Sequence, residues 1–192
     1  MEEMAAAVRG VRQIEAEIPI VASMSFDTHG CTMMGVTPED AIQQMLDLGV
    51  VAGGGNCGSG TAEMLQVIER MHAAAPDAVL VSKSNAGMPV LQDGKAVYRA
   101  GPEVMAEFAV AASVRGARII GGCCGTRPEH IQAMAAALAA RPERLELPER
   151  LERPERLLAD IGDQWHHRAP AGAKPDFGET VVFFCKLFYL IF

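Results

Sequence analysis

Three cysteines stand where apolar stretches of the chain end. Cys57 follows the run VVAGGGN, and Cys123 and Cys124 are adjacent within GGCCGT. Adjacent residues of a regular strand point to opposite faces, so these two thiols converge only where the strand has ended and the backbone turns, a freedom that the flanking glycines supply. Three thiolates with an open fourth position suit catalytic zinc, whereas free cysteines are often small buried hydrophobes. The spacing alone leaves both interpretations open.

Four short apolar runs predict the strands that position these cysteines. They span residues 18–26, 50–56, 78–85 and 117–123. Each is nearly continuous in apolar residues at its start, which is typical of parallel strands buried on both faces. Helix-start signals such as Thr37-Pro38-Glu39 follow, and a further helix is predicted at 3–15. The pattern predicts an α/β fold of four βα units, either half of an eight-stranded βα barrel of the TIM type or a small doubly wound sheet.

Polar residues collect where each predicted strand ends. They are Ser25 to His29, Asn56-Cys57, Ser84-Asn85 and Cys123-Cys124. In both candidate architectures this carboxyl edge is where active sites are built, so the three cysteines are predicted to meet there. His130, at the start of the last predicted helix, is predicted to be a helix-surface or capping residue and not a ligand.

Composition and charge narrow the class of partner. The net charge is −7, and no cluster of Lys and Arg interleaves with aromatic residues, which argues against a nucleic-acid or anionic membrane surface. Small molecules are the expected partners. The acidic start Met1-Glu2-Glu3 is unlike a secretory signal, so we expect a cytoplasmic protein whose thiols are free or metal-bound.

The chain changes character after Arg141. A degenerate Pro-Glu-Arg-Leu repeat follows, which predicts a solvated, partly helical linker. The apolar end at 180–192 is shorter than the ~17–25 residues that span a bilayer, and three interpretations of it stay open: an added strand, a partner-binding segment or a disturbed reading frame. We therefore predict a domain at 1–142 and a linker with an apolar tail at 143–192.

Several ordered motifs carry a family resemblance. GGNCG at 54–58 together with GGCCGTRPEHI at 121–131 resembles the homocysteine S-methyltransferase family. NAGMP at 85–89 and DGKAVY at 93–98 point more narrowly to the homocysteine-binding barrel of cobalamin-dependent methionine synthase. The stretch 23–41 is similar to the same region of those enzymes.

The resemblance implies a βα barrel in which Cys57, Cys123 and Cys124 hold zinc and the thiol of homocysteine takes the fourth position. Zinc would keep that thiol deprotonated and ready to attack a methyl group. Asn85 is implied beside the metal, although Asn-Ala-Gly is also good turn chemistry, and Asn56 is a weaker candidate for contacting substrate. The implied methyl donor is methylcobalamin, charged from methyltetrahydrofolate and carried by a separate corrinoid protein.

The resemblance also has a gap. Family barrels contain an early Asp-Gly-Gly segment that helps to hold homocysteine, and this segment is not found in the sequence. The four predicted strands match barrel strands five to eight, so we expect a C-terminal half-barrel that self-associates through its open edges. Alternatives are a catalytically inactive zinc-binding fragment or interaction module, a corrinoid-linked methyltransferase for another substrate, and a flavodoxin-like binding domain with unrelated cysteines.

Overall fold

A computed structural model describes residues 1–27 and 29–141, together with the backbone of 181–183. In chain order the elements are α1 (Glu2–Ile14), β1 (Val21–Ser25), α2 (Pro38–Asp47), β2 (Ala52–Cys57), α3 (Thr61–Ala74), β3 (Leu80–Ser84), β4 (Val90–Gln92), β5 (Lys95–Val97), α4 (Pro102–Val114), β6 (Ala117–Gly122), α5 (Pro128–Ala139) and β7 (Val181–Phe183).

The main sheet has the strand order β1-β2-β3-β6-β7, and every pair in it is parallel. Helices connect the first four of these strands, as the alternating sequence pattern predicts. The α/β class and the parallel arrangement are thus confirmed, whereas closure of the sheet into a barrel is not shown. The four predicted strands are all present, and the first three begin two residues or more later than expected.

The hairpin of β4 and β5 was not predicted. Its two strands are antiparallel and are joined by Asp93 and Gly94, both with positive φ (50° and 73°). An Asp-Gly pair at a two-residue turn is a strong sequence signal for a hairpin, because both positions need positive φ. The hairpin inserts between β3 and α4, on the side of the sheet where the cysteines lie.

The glycines of β2 allow two helices to pack closely on the sheet. A Cβ added to Gly53 would lie 2.9 Å from side-chain atoms of Ile42 and Met45, and one added to Gly55 would lie 2.8 Å from the sulfur of Met64. These three side chains are fully buried. The glycine run is therefore a packing feature of the core.

The opposite face of the sheet is also apolar. Ala52, Val79 and Val81 form a second buried cluster that packs with Ile119. Because Ala52 precedes Gly53 on β2, it points away from the helices that cover Gly53. Both faces of the sheet therefore carry apolar side chains, as the continuous apolar runs predict.

The apolar end of the chain contributes a short strand. Val181 pairs with Ile119 and Phe183 pairs with Gly121, in accord with the added-strand interpretation for these three residues. The Pro-Glu-Arg-Leu repeat, and the rest of the apolar end, lie outside the described residues, and the division at 142 stays a prediction. Of the helices in the described part, none has the length and apolar character needed to cross a membrane.

Candidate metal centre

The structure brings the three predicted thiols together at the carboxyl edge of the sheet. The sulfur of Cys57 lies 2.9 Å from that of Cys123 and 3.6 Å from that of Cys124, and all three sulfurs lie within 4.8 Å of one another. Among the residues described, this is the one group of three or more Cys, His, Asp or Glu side chains with the spacing of a metal site. His29, Cys31 and His72 are not part of it.

The cysteines converge because β2 ends at Cys57 and β6 ends immediately before Cys123. Cys57 has a positive φ of 57°, so its backbone leaves the extended conformation at the last residue of β2. Strand β6 ends at Gly122, and the amide of Cys123 donates to Ser84 O at 2.7 Å, while Thr126 N–H donates to Cys123 O at 3.2 Å. The turn that follows β6, residues 123–127, is here called the cysteine turn.

Asn85 joins the two segments that carry the thiols. Its side chain accepts a hydrogen bond from Cys124 N–H at 3.1 Å and donates one to Gly58 O at 2.9 Å. The residue is 7% exposed, so both bonds are shielded from water. Asn85 therefore holds the cysteine turn against the end of β2, and its role in binding substrate stays a prediction.

Asn56 lies on the sheet face opposite α2 and α3. Its amide donates to Ser25 Oγ at 3.3 Å, and its register places it between Ser25 of β1 and Lys83 of β3. The side chain also contributes to lowering the pKa of the Cys57 thiol. Asn56 is thus adjacent to the thiol cluster, and its contact with substrate stays a prediction.

The cluster concentrates negative charge on one sulfur in the metal-free protein. The pKa of Cys57 is lowered to about 6, first because Cys123 donates a hydrogen bond to its sulfur, with further bonds from Cys124 and Asn56. The same bond, together with burial, raises the pKa of Cys123. Burial, followed by interaction with Cys57, raises the pKa of Cys124. One thiolate stabilised by two neighbouring thiols is a donor set suited to a soft cation such as zinc.

His130 is buried and caps α5, so of the two roles that the sequence leaves open it has the capping role and not a helix-surface one. Its Nδ1 accepts from Arg127 N–H at 3.0 Å, so in the neutral ring Nε2 carries the proton and donates to Ala100 O at 3.0 Å. Both ring nitrogens are occupied by backbone groups. His130 is therefore not a metal ligand in this arrangement.

Tyr98 contacts the centre and was not predicted to do so. Its ring packs against Gly125, and the side chain lies close enough to Cys124 for each group to affect the pKa of the other. The pKa of Tyr98 is raised, first by burial and then by the neighbouring Cys124. The tyrosine ends the DGKAVY motif, but sequence alone does not tell that the hairpin folds back over the cysteines.

Comparison with known proteins identifies the family. The family model for homocysteine S-methyltransferase matches residues 1–138. The chain belongs to the homocysteine S-methyltransferase family. Three thiols at the carboxyl edge of a parallel sheet are therefore a feature of a member of this family.

Two curated relatives are methionine synthases. That of Mycobacterium tuberculosis (strain ATCC 25618 / H37Rv) is 38% identical over 152 residues, which are 74% of this chain and 12% of the relative. That of Mycobacterium leprae (strain TN) is 37% identical over 135 residues, 68% of this chain and 11% of the relative. The chain thus spans about an eighth of the length of these family members or less.

One solved structure resembles the chain weakly. It is the crystal structure of delta-aminolevulinic acid dehydratase (porphobilinogen synthase) from Toxoplasma gondii ME49, in complex with the reaction product porphobilinogen. The TM-score is 0.44 at 14% identity, covering 72% of this chain and 50% of the other. A similarity this weak gives no information about the function of this chain.

Proposed function

We propose that the chain supplies the metal-binding part of a zinc-dependent homocysteine S-methyltransferase that makes methionine. The observation that carries this proposal is the convergence of Cys57, Cys123 and Cys124 within 4.8 Å in a chain of this family. Three sulfur donors at one sheet edge fit zinc, which thiolates favour over harder cations.

The three thiols would be the zinc ligands. When bound, zinc supplies a Lewis acid beside which a further thiol stays deprotonated at neutral pH. Three protein ligands leave one of the four usual positions of zinc open, and homocysteine is the substrate that we assign to it. The lowered pKa of Cys57, about 6, means that part of the ligand set is already charged at neutral pH.

The amide side chains of Asn85 and Asn56 are proposed to act around this centre. Asn85 keeps the cysteine turn in register with Gly58 through its two hydrogen bonds. Asn56 contacts both Ser25 and Cys57. We assign both amides to orienting the substrate beside the thiols, because each is already within reach of a ligand or of its backbone.

Strands β1, β2, β3 and β6 are proposed to be the last four strands of a βα barrel. Their parallel order agrees with consecutive barrel strands. Within the described part of the chain no strand pairs with the outer edge of β1, so pairing with a first half of the barrel or with a second copy is the proposed way to cover it. Cytoplasmic location is proposed because a cluster of free thiols persists in a reducing compartment.

The methyl donor is proposed to be methylcobalamin, recharged from methyltetrahydrofolate and presented by a corrinoid protein. The support for this donor is the similarity to two methionine synthases. The thiol cluster is compatible with other methyl donors as well. A corrinoid-linked methyltransferase that acts on a substrate other than homocysteine is therefore an outcome of the following test.

The test is titration of homocysteine into the zinc-loaded chain, with proton release followed in a weakly buffered solution. Release of about one proton per chain is expected, because a thiol that binds zinc loses its proton. Methionine, which has no ionisable thiol, is the matched control ligand. Zinc binding with no proton release would favour the inactive zinc-binding fragment. If other thiol compounds release a proton and bind with the same affinity as homocysteine, a different substrate would be favoured.

A further inference from the structure

Tyr98 lies directly against the cysteine turn. A Cβ added to Gly125 would lie 2.2 Å from Cγ and 2.5 Å from Cβ of Tyr98, so the tyrosine rests on the bare backbone of residue 125. Its side chain also neighbours Cys124, the most exposed of the three clustered cysteines. One side chain therefore packs on the backbone of the turn beside one of its thiols.

The backbone behind Tyr98 is fixed at two points. Residues 98–100, here called the strap, follow strand β5. The amide of Ala100 donates to Ala86 O at 3.1 Å, and the carbonyl of Ala100 accepts from Nε2 of His130 at 3.0 Å. The strap is therefore anchored to the segment after β3 and to the start of α5.

The same two anchors also hold the cysteine turn. Ala86 N–H donates to Cys124 O at 2.9 Å, and Nδ1 of His130 accepts from Arg127 N–H at 3.0 Å. The strap and the cysteine turn thus share both partners. His130 is 7% exposed, so these bonds do not compete with bulk water.

We propose that Tyr98 is a positioning residue that fixes the sulfur of Cys124 relative to Cys57 and Cys123. This inference rests on the proposed function, since it assigns Tyr98 to the same zinc centre. Contacts that hold a metal-binding group in place orient it before the metal arrives, and loss of such outer partners typically lowers metal affinity 10–100-fold. The effect of Tyr98 would pass through Cys124, because its ring packs on Gly125, the next residue of the turn.

Two substitutions separate the hydroxyl from the ring. Tyr98→Phe keeps the packing on Gly125 and removes the hydroxyl that neighbours Cys124, and Tyr98→Ala removes both. Leu91→Ala is the matched control, because Leu91 lies in the same hairpin and is 77% exposed. All are made in the full 192-residue chain.

The first measurement is zinc affinity by competition with a chelator, with the Co²⁺-substituted protein as a spectroscopic probe. Tyr98→Phe is expected to weaken zinc about tenfold and to shift the thiolate-to-Co²⁺ charge-transfer band, with an unchanged thermal midpoint, and Tyr98→Ala to weaken zinc up to about 100-fold. Leu91→Ala is expected to match wild type. Wild-type affinity and spectrum in Tyr98→Phe would overturn the positioning role even if Tyr98→Ala fails to fold.

The second measurement needs no metal. Hydrogen exchange of the Cys124 and Arg127 amides in the metal-free chain is expected to be about tenfold faster in Tyr98→Ala than in wild type, because the ring no longer holds the turn. If wild type binds no zinc, the proposed function fails while faster exchange still supports positioning by Tyr98. Unchanged exchange of both amides would overturn positioning whether or not zinc binds.

Discussion

The side chain of Asn85 bonds to the backbone amide of Cys124 at 3.1 Å while its other end donates to Gly58 O at 2.9 Å. A single buried amide therefore joins the two segments that carry the thiols. The zinc ligands proposed here come from strands separated in the sheet by β3, which supplies Asn85 immediately after its last residue. Their spacing consequently depends on a residue that is not itself a ligand.

Replacing Asn85 tests that dependence. Asn85→Leu leaves Cys124 N–H and Gly58 O without a partner, and the expected cost is about 1–3 kcal/mol in the free energy of unfolding. Zinc affinity is expected to fall at least tenfold. Asn85→Asp, the matched variant, keeps the acceptor for Cys124 N–H and should lose less zinc affinity. Equal zinc affinity in Asn85→Leu and wild type, measured by chelator competition, would contradict the bridging role.

Gly54 is expected to tolerate no side chain. A Cβ there would lie 1.9 Å from the carbonyl oxygen of Val81 on the neighbouring strand, and backbone cannot move aside as a side chain can. Gly54→Ala should therefore cost more than about 4 kcal/mol or abolish folding. In contrast, Gly10→Ala in α1 meets nothing within 4 Å and should stabilise by about 0.5–1 kcal/mol. Urea unfolding of both variants checks this pair.

The ion pair of Glu39 and Arg70 should stabilise the folded protein at neutral pH and lose this effect in acid. Hydrogen bonds from Arg70 lower the pKa of Glu39, and the closest contact is 2.7 Å. A lowered carboxyl pKa adds stability above the ordinary value of about 4.3, and this is lost as pH falls through the lowered value. The side chains of Arg70 and Glu39 are 39% and 42% exposed, respectively. Solvent screening therefore limits the contribution of the pair to the free energy of unfolding to about 0.5 kcal/mol.

Glu39→Gln is the variant that measures this contribution. It should be less stable than wild type at pH 7, and the difference should disappear once the pH is low enough to protonate Glu39 in the folded protein as well as in the unfolded one. Glu3→Gln removes an exposed carboxylate of α1 and serves as the control for net charge. Equal free energies of unfolding for Glu39→Gln and wild type at every pH would show that the pair does not stabilise the protein.

Cys57 should be the first thiol to react in the metal-free protein. Its pKa of about 6 makes it mostly thiolate at pH 7, and the thiolate is the reactive form. Iodoacetamide labelling followed by peptide mass spectrometry should show Cys57 modified before Cys123 and Cys124. Cys123→Ala removes the hydrogen bond that lowers this pKa most and should slow labelling at pH 7 severalfold, whereas Cys31→Ala should not. Labelling of Cys124 first would contradict this charge distribution.

The strands and the meeting of the cysteines could be predicted from sequence because both follow from local pattern and parallel topology. Residues at the ends of parallel strands share one edge whatever the details of packing. The apolar pattern does not locate the strand starts, since apolar residues such as Ile18 and Ile20 extend it ahead of the hydrogen-bonded part of β1. The hairpin at Asp93-Gly94 carries a turn signal that sequence alone can provide.

The contacts of the strap could not be predicted in the same way. Tyr98 meets Gly125 because a hairpin folds across the sheet edge, a tertiary arrangement that neither periodicity nor turn chemistry determines. The sequence leaves His130 as either a helix-surface or a capping residue, and its burial and its second bond, to Ala100 O, depend on the same fold. The sequence therefore identifies the residues that could form the site, whereas tertiary packing determines which other residues contact them.

The most direct test of the account is the zinc content of the purified chain by elemental analysis. Wild type and Cys31→Ser are predicted to hold about one zinc per chain, and Cys57→Ser, Cys123→Ser and Cys124→Ser to hold little or none, because each removes one of three thiolate ligands. No zinc in wild type, or an equal amount in all of these variants, would contradict a metal centre at Cys57, Cys123 and Cys124.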